Sequence, residues 1–135
     1  RDLPERVIPK FVRLAMSDLP LTLNGGTQVL DFTFVDDVSD LLANMPSHMD
    51  NPAVHREVFL LATGVGTSLL DLSEMIRRVF DSSSAVDIRP DRSYDVKRFV
   101  GDFGKARQLL GFTPNVDLES GLRIYKDRLL MSAKG

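Results

Sequence analysis

Apolar residues along the chain mark out short helical and extended stretches that alternate. Ile8, Phe11, Val12 and Ala15 fall on one face of a helix predicted from Pro9 to Ser17, proline being tolerated in a first turn. Pro20 and Asn24-Gly25-Gly26 bracket a short extended segment, Leu21 to Leu23. The paired glycines accept positive φ and so mark a tight turn. Val29 to Val35 is rich in β formers and reads as a short buried strand or an extended approach to a helix. Asp36 is the expected N-cap of a helix from Asp37 to about Asn44. Its apolar face is Val38, Leu41 and Leu42, and Pro46 ends it. The polar stretch His48 to Arg56 reads as an exposed loop.

In the second half, Glu57 to Thr63 holds the most apolar run, with Val58 to Ala62 showing no alternation. That pattern predicts a strand covered on both faces, as in a parallel sheet. Gly64-Val65-Gly66 turns the chain. Ser68 and Asp71 have capping-box spacing and open a helix carrying Leu69, Leu72, Met75, Ile76 and Val79. A strand from Ala85 to Arg89 and a polar loop from Pro90 to Asp95 follow. Asp102 is the expected N-cap for Phe103 to Leu110, with Gly111 as its stop. Asp117 caps a last helix to about Met131, with Leu122, Tyr125 and Leu129 inward, and the tail Ser132 to Gly135 is expected to fray. The alternation predicts an α/β fold. Only one strand is fully apolar, so the sheet is expected to be incomplete. It would leave apolar surface around Val58 to Ala62, through which the chain self-associates.

The chain's 135 residues suit one domain and a real core. Net charge is −2 with the two signs interspersed, so there is no basic field for nucleic acid or an anionic membrane. The absence of cysteine excludes disulfides and thiolate metal sites and fits a cytoplasmic protein. No apolar run approaches the ~20 residues of a membrane-spanning helix, and the charged start, Arg1 to Arg6, lacks the core of a secretory signal. The first residue is not Met, so the chain reads as a piece of a longer protein.

Three motifs suggest chemistry. Val58 to Leu69 has the layout of a dinucleotide fingerprint, but Leu69 stands where the third glycine belongs, and no suitably placed acid follows. A tight strand-to-helix turn accounts for the glycines. Neither tyrosine has a lysine four residues on: Tyr94 is followed by Arg98 and Tyr125 by Leu129. No phenol is therefore paired for proton transfer. His48 and His55 read as solvated loop residues. The segment Arg89 to Arg98 is more informative, with four cations and two acids between apolar stretches. Arg92 could donate a two-pronged hydrogen bond to phosphate and Asp95 could accept from sugar hydroxyls, although an ion-paired surface loop would look the same.

Four ordered segments, RVIPKFVRLA from Arg6, LTLNGGTQVLDFTFVDDV from Leu21, VFLLATGVGTSLLDL from Val58 and RSYDVKRFVGDFGKARQLLGFTP from Arg92, resemble the C-terminal third of extended short-chain dehydrogenases. That is the family of NAD-dependent sugar-nucleotide epimerases, dehydratases and decarboxylases. The resemblance implies a C-terminal substrate-binding subdomain with an incomplete remnant of the Rossmann sheet. It implies a parent that binds NAD through a Rossmann half absent from this chain, and a fragment that binds no NAD and is inactive alone. It places Arg92 at a diphosphate-binding position and Asp95 at a ribose-binding one, with Leu21, Leu23 and Asn24 lining the pocket for a nucleotide-diphospho-sugar. Leu30 stands where the family has a second diphosphate Arg. Asn24-Gly25-Gly26 is one residue short of the family turn, and Leu60 replaces a common Asn. These departures leave open a redox-silent binding or regulatory module of the same architecture.

Overall fold

The computed structural model describes residues 6–132, so most of the tail expected to fray lies outside the described residues. In chain order the elements are α1 (Val7–Met16), β1 (Leu21–Asn24), β2 (Val29–Asp31), α2 (Val35–Asn44), β3 (Gly66–Ser68), α3 (Leu69–Val79), β4 (Val86–Arg89), α4 (Gly104–Leu110) and α5 (Leu118–Ser132). Short 3-10 turns occupy Met45–His48, around the proline expected to end the helix, and Pro52–Val54, within the segment expected to be a loop. Although the length suits one domain, the chain forms two compact units. Residues 6–28, 68–97 and 122–132 make the first, and 29–67 and 98–121 the second.

The first unit is built on one parallel strand pair. β1 and β4 run in register from Leu21 opposite Val86 to Asn24 opposite Arg89. Alternation decides the faces of β1: Leu21 and Leu23 are 0% and 1% exposed, while Thr22 and Asn24 are half-buried. α1 and α3 pack on β1 and on each other, giving a core of Phe11, Val12, Ala15, Leu72 and Ile76 beside the two leucines. Burying a leucine fully contributes about 1.5–3 kcal/mol, so these few side chains hold the strand that carries the site. α3 starts where the capping spacing placed it. The Ser68 hydroxyl accepts from Asp71 N at 3.0 Å and donates to the Asp71 carboxylate at 2.6 Å.

The second unit has its own core of Leu41, Val54, Ala106, Leu110 and Phe112, with Phe59, Leu61 and Phe103 packed against it. β2 is hydrogen-bonded to β3, a strand the sequence had shown only as a glycine turn, and Val29 also bridges Arg98 in parallel.

Three expectations are corrected here. Residues 57–63 are not a strand covered on both faces, since Val58 is 85% and Leu60 43% exposed. Side chains satisfy part of this backbone instead of a sheet ladder: Thr33 donates to Leu61 O at 3.2 Å, and Asp31 accepts from Thr63 N at 3.0 Å. The helix expected to be capped by Asp36 starts at Val35 after Phe34. Asp37, 7% exposed, instead accepts from Asn115 N and Val116 N, each at 3.2 Å. α4 begins at Gly104, one residue after the expected start, and the Asp102 carboxylate accepts from Gly104 N at 2.7 Å, the bond expected of a residue that caps it.

Candidate functional site

Both strands of the parallel pair end at the same level, Asn24 beside Arg89. The carboxyl end of parallel strands is where α/β sheets bind ligands, because loops diverge there and backbone groups leave the ladder. Two loops depart from this edge in the first unit. One is the turn after Asn24, where Gly25 and Gly26 have φ of 80° and 83°, a region open to glycine but strained for other residues. The other is the polar loop after Arg89. A backbone bond from Gly25 N to Arg89 O at 2.8 Å joins their roots.

The second loop folds on itself through a turn in which Asp95 N donates to Arg92 O at 3.2 Å. Arg92 Nε then donates to the Asp95 carboxylate at 3.1 Å, and its NH1 to the Tyr94 hydroxyl at 3.4 Å. The guanidinium also lies 5.4 Å from the centre of the Tyr94 ring. The Tyr94 hydroxyl and, next, Asp95 push the Arg92 pKa above its ordinary value, so this group is permanently cationic. Two of the five N–H donors of the guanidinium are committed by these bonds. Arg92 is 48% exposed and Asp95 24%. The pair can present cationic donors and a carboxylate acceptor side by side, which suits an anion flanked by hydroxyls.

The remaining cations of Arg89 to Arg98 are placed differently. Arg89 pairs with Asp87 at 3.0 Å and Lys97 with Asp91. Arg98 belongs to the second unit through its bridge to Val29. Asn24 thus ends β1 beside Arg89, from which the loop holding Arg92 and Asp95 departs. Leu21 and Leu23 support that edge from below, their side chains filling the core. Gln28, which neither charge nor periodicity singles out, and Asp91, one of the two acids of the Arg89 to Arg98 segment, join the arrangement. Gln28 Nε2 donates to Asn24 O at 2.6 Å and to the Asp91 carboxylate at 2.8 Å. A lone Gln after a glycine turn carries no pattern that announces burial.

The second unit holds a cleft of about 260 Å³ bordered by Phe32, Thr63 and residues 114–118, and none of the sequence-predicted site residues line it. A Cβ on Gly66 would fall 2.6 Å from Val29 Cγ1 and 2.7 Å from Val100 Cγ2, so Gly66 is small where these neighbours approach it. His55 Nε2 lies 2.7 Å from Met49 O, within its own loop. Among the described residues no cluster of three metal-ligating side chains occurs, and no helix is long and apolar enough to cross a membrane.

No protein-family model matches the chain. The chain is 32% identical over 118 residues to UDP-glucuronic acid decarboxylase 2 of Arabidopsis thaliana, covering 87% of this chain and 25% of that protein. It superposes on the UDP-glucose 4-epimerase of Thermotoga maritima, solved with UDP-glucose. The TM-score is 0.82 at 26% identity, over 95% of this chain and 40% of that one. It matches the C-terminal part of extended short-chain dehydrogenases. A UDP-glucuronic acid 4-epimerase of Bacillus cereus, solved with a fluorinated UDP-sugar and NAD, gives the same TM-score of 0.82 at 25% identity, over 98% and 42% of the two chains. The chain thus spans between a quarter and about two fifths of these family members, in their C-terminal part. The α/β fold with a small parallel sheet is the one this part of the extended short-chain dehydrogenases adopts.

Proposed function

We propose that this chain is the part of an NAD-dependent epimerase, dehydratase or decarboxylase that binds a nucleotide-diphospho-sugar, and that it has no activity alone. One observation carries the reading. The turn after Asn24 and the loop with Arg92 and Asp95 leave the coincident carboxyl ends of β1 and β4, joined at their roots by Gly25 N to Arg89 O at 2.8 Å. In this arrangement Arg92 donates to the diphosphate and Asp95 accepts from the ribose hydroxyls. Leu21 and Leu23 hold the strand, and the Asn24 turn lines the pocket. NAD supplies the hydride acceptor in the parent enzyme and is held by the Rossmann half. This chain's residues anchor the substrate, and the parent is placed in the cytoplasm.

The deciding experiment is calorimetric titration of the full-length parent with several nucleotide sugars, comparing wild type, Arg92→Ala and Arg98→Ala. Loss of a charge-assisted hydrogen bond should weaken binding by about 2–3 kcal/mol in Arg92→Ala and leave Arg98→Ala close to wild type. Equal binding by wild type and Arg92→Ala overturns the diphosphate assignment. A redox-silent binding module is the second reading, favoured by one residue: Leu30, half-buried in β2, holds the position of the family's second diphosphate Arg. Binding of no nucleotide sugar by wild type would support it.

A further inference from the structure

Gln28 is only 3% exposed, yet it stands between the two loops of the site. Its amide has one sensible orientation. Both neighbours of Nε2, the Asn24 carbonyl at 2.6 Å and the Asp91 carboxylate at 2.8 Å, can only accept, so both amide hydrogens are committed. The other Asp91 oxygen pairs with Lys97. The space around this junction is full. A Cβ on Gly25 would lie 2.8 Å from the Asp91 oxygen and 2.9 Å from Gln28 Nε2. The contacts run from the end of β1 through Gln28 to Asp91, the residue before Arg92. Backbone bonds from Leu70 N to Gly26 O and from Leu69 N to Gln28 O, both 3.0 Å, fix this short stretch against the start of α3. Gln28 is thus anchored by its backbone on one side and reaches the loop after Arg89 with its side chain on the other.

We propose that Gln28 is a positioning residue that fastens the Asn24–Gly26 turn to the Arg92–Asp95 loop, setting the spacing of the site before any ligand arrives. The ligand side of this proposal rests on the nucleotide-sugar reading above; the fastening itself does not. A site assembled in advance loses less conformational freedom on binding, so removing the fastening weakens affinity without removing a ligand contact.

The test is amide hydrogen exchange on the ligand-free chain, comparing wild type with Gln28→Met, which keeps much of the volume and removes both donors. The reporters are Gly25 N, bonded to Arg89 O, and Asp95 N, bonded to Arg92 O. The internal control is Phe80 N, bonded to Ile76 O at the end of α3. Exchange at both reporters should rise about tenfold while Phe80 is unchanged. Asp91→Ala cuts the same link from its solvent side, where that carboxylate is 39% exposed, and guards against misfolding of the core variant. It should raise exchange at Gly25, and the double variant should be no looser than either single one. Unchanged exchange at Asp95 in both single variants, or effects that simply add, overturns the proposal. A parallel titration with UDP separates the two readings. Binding about tenfold weaker in Gln28→Met supports both. Loosened loops with no UDP binding by wild type uphold the fastening and count against the nucleotide reading alone.

Discussion

The carboxylate of Asp31 takes both the amide and the hydroxyl hydrogen of Thr63, at 3.0 and 2.5 Å. Its other oxygen accepts from Gly64 N at 2.9 Å and Gly101 N at 3.1 Å. One side chain therefore ties β2 to two separate loops of the second unit. Asp31→Ala leaves three backbone donors without this partner, and its expected cost is about 2–4 kcal/mol from hydrogen bonds to a charged group. Urea denaturation should show the midpoint falling while Thr63→Val, which removes one of the four bonds, costs less. Equal stability of Asp31→Ala and wild type would sink this account.

The same carboxylate sets a pH dependence. Burial raises its pKa, but the hydrogen bonds from the Thr63 side chain and from the Thr63, Gly101 and Gly64 amides together outweigh burial and hold it below the usual value. A folded-state pKa below the unfolded one means the unfolded chain binds the proton first. The stabilisation is fully present above the unfolded value near 3.9 and is lost as pH falls through the folded value. Thermal melts from pH 7 down to pH 3 should show Tm dropping at the acid end, with a smaller drop in Asp31→Asn. Parallel curves for the two proteins would contradict the assignment.

Gly25 and Gly111 separate two ways a glycine can be required. Both have positive φ, 80° and 66°, but a Cβ on Gly111 meets nothing within 4 Å, whereas one on Gly25 meets Asp91 and Gln28 at under 3.0 Å. Gly111→Ala should cost about 1–2 kcal/mol, the ordinary penalty of left-handed backbone. Gly25→Ala should cost more and should also disturb the Arg92 loop, read as chemical-shift changes at residues 91–95. Equal costs with no loop response would remove the steric argument.

Val58 and Leu60 are exposed at 85% and 43% on a stretch without sheet partners among the described residues. The isolated chain is expected to self-associate through this surface. Light scattering at rising concentration should show dimers or larger species, reduced in a Val58→Lys, Leu60→Glu variant. A clean monomer at high concentration refutes the expectation.

Titration of the isolated chain with NAD should show no useful affinity, because Gly66 is consumed by strand packing and no tyrosine–lysine pair accompanies it. A micromolar dissociation constant would overturn this.

Much of the first unit was legible in the sequence because its signals are local. Ser68 and Asp71 announce the start of α3, and Pro20 and the paired glycines bracket β1; in the second unit Gly111 likewise announces the end of α4. What escaped depends on partners far along the chain. Val58 to Ala62 reads as a buried strand, but whether it becomes one is decided by neighbours that composition cannot reveal. Asp36 reads as a cap, yet the helix starts at Val35, and its neighbour Asp37 accepts from the amides at 115 and 116. Of the site, Arg92 and Asp95 stood out by charge and spacing, and the resemblance gave them roles. Gln28 and Asp91 did not, since their meaning lies in a contact across more than sixty positions.

The pairing of Leu21 with Val86 also has a kinetic side. About 65 residues separate the two strands, and the entropy of closing so long a loop must be met before the parallel pair stabilises anything. Residues 29–67 of the segment between them belong to the other unit, while 68–85 belong to the first and carry α3. On a ribosome, β1 emerges long before its partner exists, and Leu21 and Leu23 remain uncovered by β4 while that intervening segment is synthesised. The edge that carries the candidate site is consequently among the last parts of the first unit to form, and refolding should be limited by this long-range closure rather than by its helices.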